Sequence, residues 1–221
     1  MPAPTLVIGN CNYSSWSLRA WIALRVAEIE FQVERVPLYQ LDTRERILAH
    51  NAAGTVPVLK HGALVLWESL AICEYAAELA PAARLWPEER ETRALARSVA
   101  TEMHGGFPAM RQAIPLNFSG LAKRVPTLSD DARAQIARIQ ALWSACLRRP
   151  GRSGPFLFGR FSVADAMYAP VVSRFRTYPV PLADPVRAYV DAVWDMPAMQ
   201  EWGALAAREP EREARYEALL A

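Results

Sequence analysis

The sequence has little cysteine and little histidine, and several function classes fall away with them. Of its 221 residues only Cys11, Cys73 and Cys146 are thiols. They form no CxxC pair and are odd in number, so neither a disulfide framework nor a cysteine metal cluster is expected. His50, His61 and His104 show no metal-ligand spacing, and no metal is expected. No apolar run is long enough to span a bilayer. Neither charge sign dominates: the net charge is +2 and Lys and Arg are dispersed, which gives no footprint for nucleic acid. The start, Met1-Pro2-Ala3-Pro4, has no basic stretch followed by an apolar one, so no secretory signal is read and reduced thiols in a cytoplasm are expected. There are no internal repeats. What is present is a globular balance, 52% hydrophobic and 22% charged residues, with enough chain to bury a substantial core.

The first eighty residues or so alternate strand and helix signals. Leu6–Gly9 reads as a short buried strand and Ser17–Ala27 as a helix apolar over much of its circumference. Phe31–Val36 is a second strand, ended by Pro37, and Thr43–His50 a short charged helix. Val56–Leu59 and Ala63–Leu66 form a hairpin about His61-Gly62, and Glu68–Leu79 is a helix. A βαβ unit joined to a ββα unit predicts a thioredoxin-like α/β domain over residues 1–80. Residues 81–90 read as a linker, and 91–221 as an all-helical domain with helices over 92–107, 130–149, 162–178 and 185–194.

Four local motifs carry chemistry or structure. Ser14, Ser15 and Ser17 crowd the junction between the first strand and the first helix. Unpaired N–H groups and the positive end of a helix dipole face outward there, a place for an N-cap or for a bound anion or thiolate. Gly54-Thr55-Val56-Pro57 opens the third strand. It is either a plain strand start or, with a cis proline, a point where the Val56 backbone pairs with an extended peptide. Glu68-Ser69 begins a helix, either as ordinary dipole decoration or as a clamp. As a clamp, Ser69 holds a carboxylate and Glu68 an ammonium. Ser162-Val163-Ala164-Asp165 has the form of a capping box, a structural feature whose loss typically costs about 0.5–2 kcal/mol.

In this order and spacing the four motifs resemble the glutathione transferase superfamily, and among its classes zeta. That class carries Ser-Ser-Cys-Ser and then, after four residues, Ile-Ala-Leu; here Ser14-Ser15-Trp16-Ser17 precedes Ile22-Ala23-Leu24. The family's Val-Pro turn matches Val56-Pro57, its Gln-Ser matches Glu68-Ser69, and Ala164-Asp165 and Pro170 also correspond. Trp16 replaces the class cysteine and Thr55 replaces Gln or Lys. Thr177 stands where the zeta isomerases have a substrate-binding arginine, with Arg174 and Arg176 close by. The chain thus resembles bacterial transferases related to zeta more than the maleylacetoacetate isomerase itself.

The resemblance implies glutathione as co-substrate, a hydrophobic electrophile as second substrate, and a homodimer. It implies that Ser14, with Ser15 as the alternative, donates a hydrogen bond to the sulfur. Trp16, Thr55, Val56, Pro57, Glu68 and Ser69 would complete the glutathione site. Met103, His104, Phe107, Met110 and Arg111 are candidates for the second-substrate wall, with core packing as the competing role for Met103 and Phe107. A rival reading takes Cys11-Asn12-Tyr13-Ser14 as the CxxS of a thiol–disulfide oxidoreductase.

Overall fold

The computed structural model describes residues 2–221. Four strands, β1 (Thr5–Ile8), β2 (Gln32–Arg35), β3 (Val58–His61) and β4 (Leu64–Trp67), form one sheet in the order β2-β1-β3-β4. β1 runs parallel to β2, while β3 is antiparallel to both β1 and β4. β1 lies inside the sheet, and its Leu6, Val7 and Ile8 are buried, as a central strand covered on both faces requires. The sheet carries α1 (Ser15–Val26), α2 (Thr43–Leu48) and α3 (Ser69–Leu79). The expected α/β order holds throughout this half.

The rest is helical: α4 (Arg90–Gly105), α5 (Pro108–Ala113), α6 (Asp130–Leu147), α7 (Val163–Thr177), α8 (Val186–Trp194), α9 (Pro197–Arg208) and α10 (Ala214–Glu217). None of the described helices is long and apolar enough to cross a membrane. α7 is buried along nearly its whole length and packs against α1, α3 and α4. Trp21 of α1 and Trp202 of α9 meet edge to face with centroids 5.2 Å apart. One continuous apolar core therefore joins the sheet-bearing half to the helical half.

Several boundaries differ from the sequence reading by a residue or two, and three of them bear on the site. α1 starts at Ser15 rather than Ser17, because Ser14 takes an extended conformation and its hydroxyl accepts from the Ser17 N–H, which makes it the N-cap. The third strand starts at Val58 rather than Val56, since Pro57 has no N–H to give a ladder. The first long helix stops at Gly105; Phe107 adopts a left-handed conformation (φ 61°), and Pro108 opens the separate helix α5.

The last residues fold back over the sheet-bearing half. Arg35 makes a two-pronged ion pair with Glu211, at 3.0 and 3.1 Å. The Tyr13 hydroxyl donates to Glu217 at 2.8 Å and accepts from the Glu213 N–H at 3.0 Å. The capping box at the start of α7 is present: Asp165 accepts from the Ser162 N–H and hydroxyl, both at 2.8 Å, and from the Leu157 N–H at 3.0 Å.

Candidate functional site

The chain leaves β1 at Gly9 and turns through Asn10–Tyr13 before α1 begins. Asn10 accepts from the N–H groups of Tyr13 and Ser14, so the turn is closed by its own backbone. Ser14 then presents its hydroxyl at the N-terminus of a twelve-residue helix with no acidic side chain in its first turn. The positive end of that dipole is uncompensated by the helix itself.

A cleft of about 270 Å³ opens at this point, lined by Tyr13, Ser14, Ser15, Trp16, Leu38, Tyr39, Val56, Arg111, Pro115, Leu116, Arg174 and Tyr216. A larger cavity of about 590 Å³ lies between Phe118, Thr177, Val190 and Trp194, and none of the serines reaches it. Ser14 and Ser15 are 5% and 6% exposed, so a hydroxyl here meets the cleft from a largely dry surface.

The Ser14 and Ser17 hydroxyls lie 2.7 Å apart, and Ser17 Oγ also accepts from the Gly9 N–H at 3.0 Å. Val56 lines the cleft immediately before β3, and its peptide bond to Pro57 is cis. Pro57 is buried, whereas Thr55 is exposed, and its carbonyl accepts from Asn51 Nδ2 at 2.8 Å. Ser69 is the first residue of α3; its hydroxyl is buried and has no partner among the described residues. An orphaned hydroxyl at a helix N-terminus fits the carboxylate end of a peptide ligand. Glu68 is half exposed and its carboxylate lies 3.8 Å from His104 Nε2. Burial, followed by the charge of Arg19, pushes the His104 pKa down, so at neutral pH this contact is not an ion pair.

The proposed second-substrate wall separates into two groups. Met103 and Met110 are fully buried and Phe107 nearly so; all three belong to the core and do not line the cleft. Their apolar spacing signalled packing, not a ligand wall. Arg111 does line the cleft, and its guanidinium donates to the Gly106 carbonyl. His104 stands beside the cleft, edge-on to Trp16 at 5.3 Å between ring centroids.

The sequence reading missed Leu38, Tyr39, Pro115, Leu116 and Tyr216, which come from segments without a motif, and gave Tyr13 no role in the site; Arg174, noted there only as close to the position of the zeta-class arginine, lines the cleft. The sequence reading also missed Arg19. That side chain is completely buried, its guanidinium sits 4.2 Å over the Trp16 ring, and its three nitrogens have no hydrogen-bond partner among the described residues. Burial, with Arg174 and Arg111 nearby, lowers its pKa to about 9. Arg174 is held by the carbonyls of Ile114 and Pro170 and is lowered to about 10, again chiefly by burial.

Cys11 does not reach the cleft. Its side chain is 3% exposed, and burial, reinforced by Glu209, pushes its thiol well above the ordinary range. A buried, protonated thiol cannot serve as the attacking group of an oxidoreductase, so the CxxS reading is set aside. No group of His, Cys, Asp and Glu among the described residues is arranged to hold a metal ion.

A four-stranded mixed sheet with a serine-capped helix, joined to a helical half that walls the same cleft, defines a fold of a small thioredoxin-like α/β part followed by a helical part. The chain belongs to the glutathione S-transferase family: residues 13–79 match the model of the family's N-terminal domain and residues 95–202 that of its C-terminal domain. Among curated relatives, Protein IN2-1 of Zea mays is 27% identical over 172 residues, 76% of this chain but 64% of that protein, so the match spans less than two thirds of the relative. Maleylacetoacetate isomerase of Rattus norvegicus is 25% identical over 83% of this chain and 84% of its own. Among solved structures, a glutathione transferase homolog from Burkholderia gl BGR1 with bound glutathione superimposes with a TM-score of 0.68 at 26% identity, covering 93% of this chain and 99% of that one. A zeta-class maleyl pyruvate isomerase reaches a TM-score of 0.73 at 22% identity over 95% and 100% of the two chains, a likeness of fold.

Proposed function

We propose that this protein is a serine-type glutathione transferase in which Ser14 stabilises the glutathione thiolate. The observation that carries this reading is the Ser14 hydroxyl, nearly buried, at the N-terminus of α1 and on the wall of the cleft. A free thiol has a pKa of about 8.5 and is a few per cent ionised at pH 7. Lowering it by about two units takes roughly 2.7 kcal/mol. One charge-assisted hydrogen bond and a helix N-terminus are of that size together. The thiol proton leaves to solvent, and Ser14 keeps its own proton and donates it as a hydrogen bond. The sulfur then attacks an electrophilic carbon; in an aryl halide the halide departs with the bonding pair.

In this reading Val56 pairs with the cysteinyl backbone beside Thr55 and Pro57, and Glu68 and Ser69 hold the γ-glutamyl end. Trp16, Arg111, Arg174 and Tyr216 border the second substrate. Ser14→Ala should lower kcat/KM for an aryl halide by roughly 10²-fold or more, while Ser15→Ala should change it little. Full activity in both variants would end the assignment.

A second reading is favoured by Arg174. It lines the cleft with Arg111, whereas Arg176 pairs with Asp191 and Thr177 bonds to the Asn117 carbonyl. Two cations beside the thiol suit an anionic substrate of a glutathione-dependent isomerase. Arg174→Met should then abolish isomerisation of maleylacetoacetate and spare conjugation of a neutral halide.

A homodimer accords with the exposed Leu64, Val65 and Trp67 on β4. Sedimentation of wild type against Trp67→Asp tests it. A cytoplasmic location accords with three unpaired thiols.

A further inference from the structure

Ser17 is given no role in the proposed chemistry, yet its hydroxyl is the only side-chain group hydrogen-bonded to Ser14 Oγ among the described residues. Ser17 is completely buried. Its oxygen already accepts from the Gly9 N–H, the group that ends β1. The 2.7 Å contact between the two hydroxyls admits two proton arrangements. If Ser14 donates to Ser17, the Ser17 proton is left in a dry interior with no acceptor. A buried donor without a partner costs about 1–3 kcal/mol. If Ser17 donates to Ser14, every polar atom of Ser17 is satisfied. Ser14 Oγ then accepts twice, from the Ser17 hydroxyl and from the Ser17 N–H at 3.3 Å. Its own proton is left with one open direction, the cleft that Ser14 lines.

We propose that Ser17 is a positioning residue: the relay from Gly9 N–H to Ser17 to Ser14 fixes Ser14 as a hydrogen-bond donor to whatever sulfur occupies the cleft. The inference rests on the reading of Ser14 as the thiolate's partner. It adds two things to it. An isolated serine hydroxyl rotates and accepts as readily as it donates, whereas this one has its acceptor capacity filled from the protein side. Each bond in a chain of hydroxyls also polarises the next, so the terminal donor is the stronger for it. The cost of holding the rotor is met when the protein folds, before glutathione arrives, which is the sense in which the site is preorganised.

The test is the ionisation of bound glutathione, followed by ultraviolet thiolate absorbance against pH in the full-length protein, with the pH profile of kcat/KM for an aryl halide measured alongside. Ser17→Ala should raise the bound thiol pKa by about half to one unit, a loss of roughly three- to tenfold in thiolate below that pKa, and shift the kinetic profile equally. Ser17→Thr keeps the hydroxyl and should retain the wild-type pKa; Ser17→Cys, a weaker donor of similar size, should fall between and also serves if the alanine variant does not fold. Ser14→Ala is measured in the same series. An unshifted thiol in Ser14→Ala overturns the Ser14 reading itself. A shift in Ser14→Ala with none in Ser17→Ala or Ser17→Cys overturns the relay alone. A rise in the KM for glutathione without a change in thiol pKa, or a threonine variant shifted as far as the alanine one, overturns it too, since packing and not the hydroxyl is then the cause.

Discussion

The carboxylate of Glu209 accepts hydrogen bonds from the N–H of Cys11 at 2.7 Å and from that of Asn12 at 3.0 Å, across nearly two hundred residues of sequence. The turn that delivers Ser14 to the cleft is therefore held by a residue from beyond the last long helix. Trp202 on α9 adds a second tie by donating to the Cys11 carbonyl at 2.8 Å. These bonds occupy backbone groups that neither β1 nor α1 can pair, because the turn lies between them.

Replacing Glu209 by alanine should leave two buried N–H groups without partners. Each unsatisfied group costs about 1–3 kcal/mol. The expected result is a clear drop in the urea midpoint with an unchanged denaturant slope. Because the tie supports the Ser14 turn, the KM for glutathione should rise as well. An unaltered midpoint would show that water replaces the carboxylate freely.

Asp165 gives a pH dependence with a definite sign. Burial, opposed by bonds from Leu157 and Ser162, raises its pKa from 3.8 to about 6. Between those values the folded protein keeps a proton that the unfolded chain has lost. Stability from this group is complete below about pH 4 and declines as pH rises through about 6. The total is about 3 kcal/mol. Urea unfolding at several pH values should show this fall, and Asp165→Asn should flatten it, whatever its own absolute stability.

All three cysteines are buried, and burial raises each thiol, Cys73 to about 12 and Cys146 to about 11. The native protein should resist alkylation by iodoacetamide at pH 8 and keep the proposed transferase activity. Intact mass before and after treatment decides it. Rapid modification of Cys11 with loss of turnover would return the oxidoreductase reading to consideration.

Trp16 should act on the second substrate more than on glutathione. Its ring covers the Arg19 guanidinium and lies 5.6 Å from that of Arg111. Trp16→Ala removes a desolvated cation–π contact of about 2 kcal/mol, so thermal stability should fall. The KM for a flat aryl electrophile should rise several-fold while that for glutathione holds. Equal rises in both would place the ring in the glutathione site instead.

Much of the fold was legible from periodicity and punctuation. Leu6–Gly9, His61-Gly62 and Pro37 marked strands and their ends because strand burial and turn geometry are local constraints. Helix α1 was legible as a helix, but Arg19 within it was not. A long cationic side chain on a helix ordinarily reaches solvent; here α1 packs against α3 and α7, and Arg19 ends completely buried. Met103 and Met110 show the converse: methionine near a proposed ligand wall and methionine in a core have the same sequence pattern.

The sequence by itself determined that serines would crowd the junction of β1 and α1, where a helix N-terminus needs a capping side chain. That Ser14 is the cap, with Ser17 within reach of its hydroxyl, came with the structure, which starts α1 at Ser15. Only the tertiary structure decided what those hydroxyls do. It brought the Gly9 N–H onto Ser17, sealed Ser17 from water, and put Arg174 and Tyr216 on the same cleft as Ser14. Proton direction depends on which acceptors remain in a dry interior, and that is settled by packing between segments the chain keeps far apart.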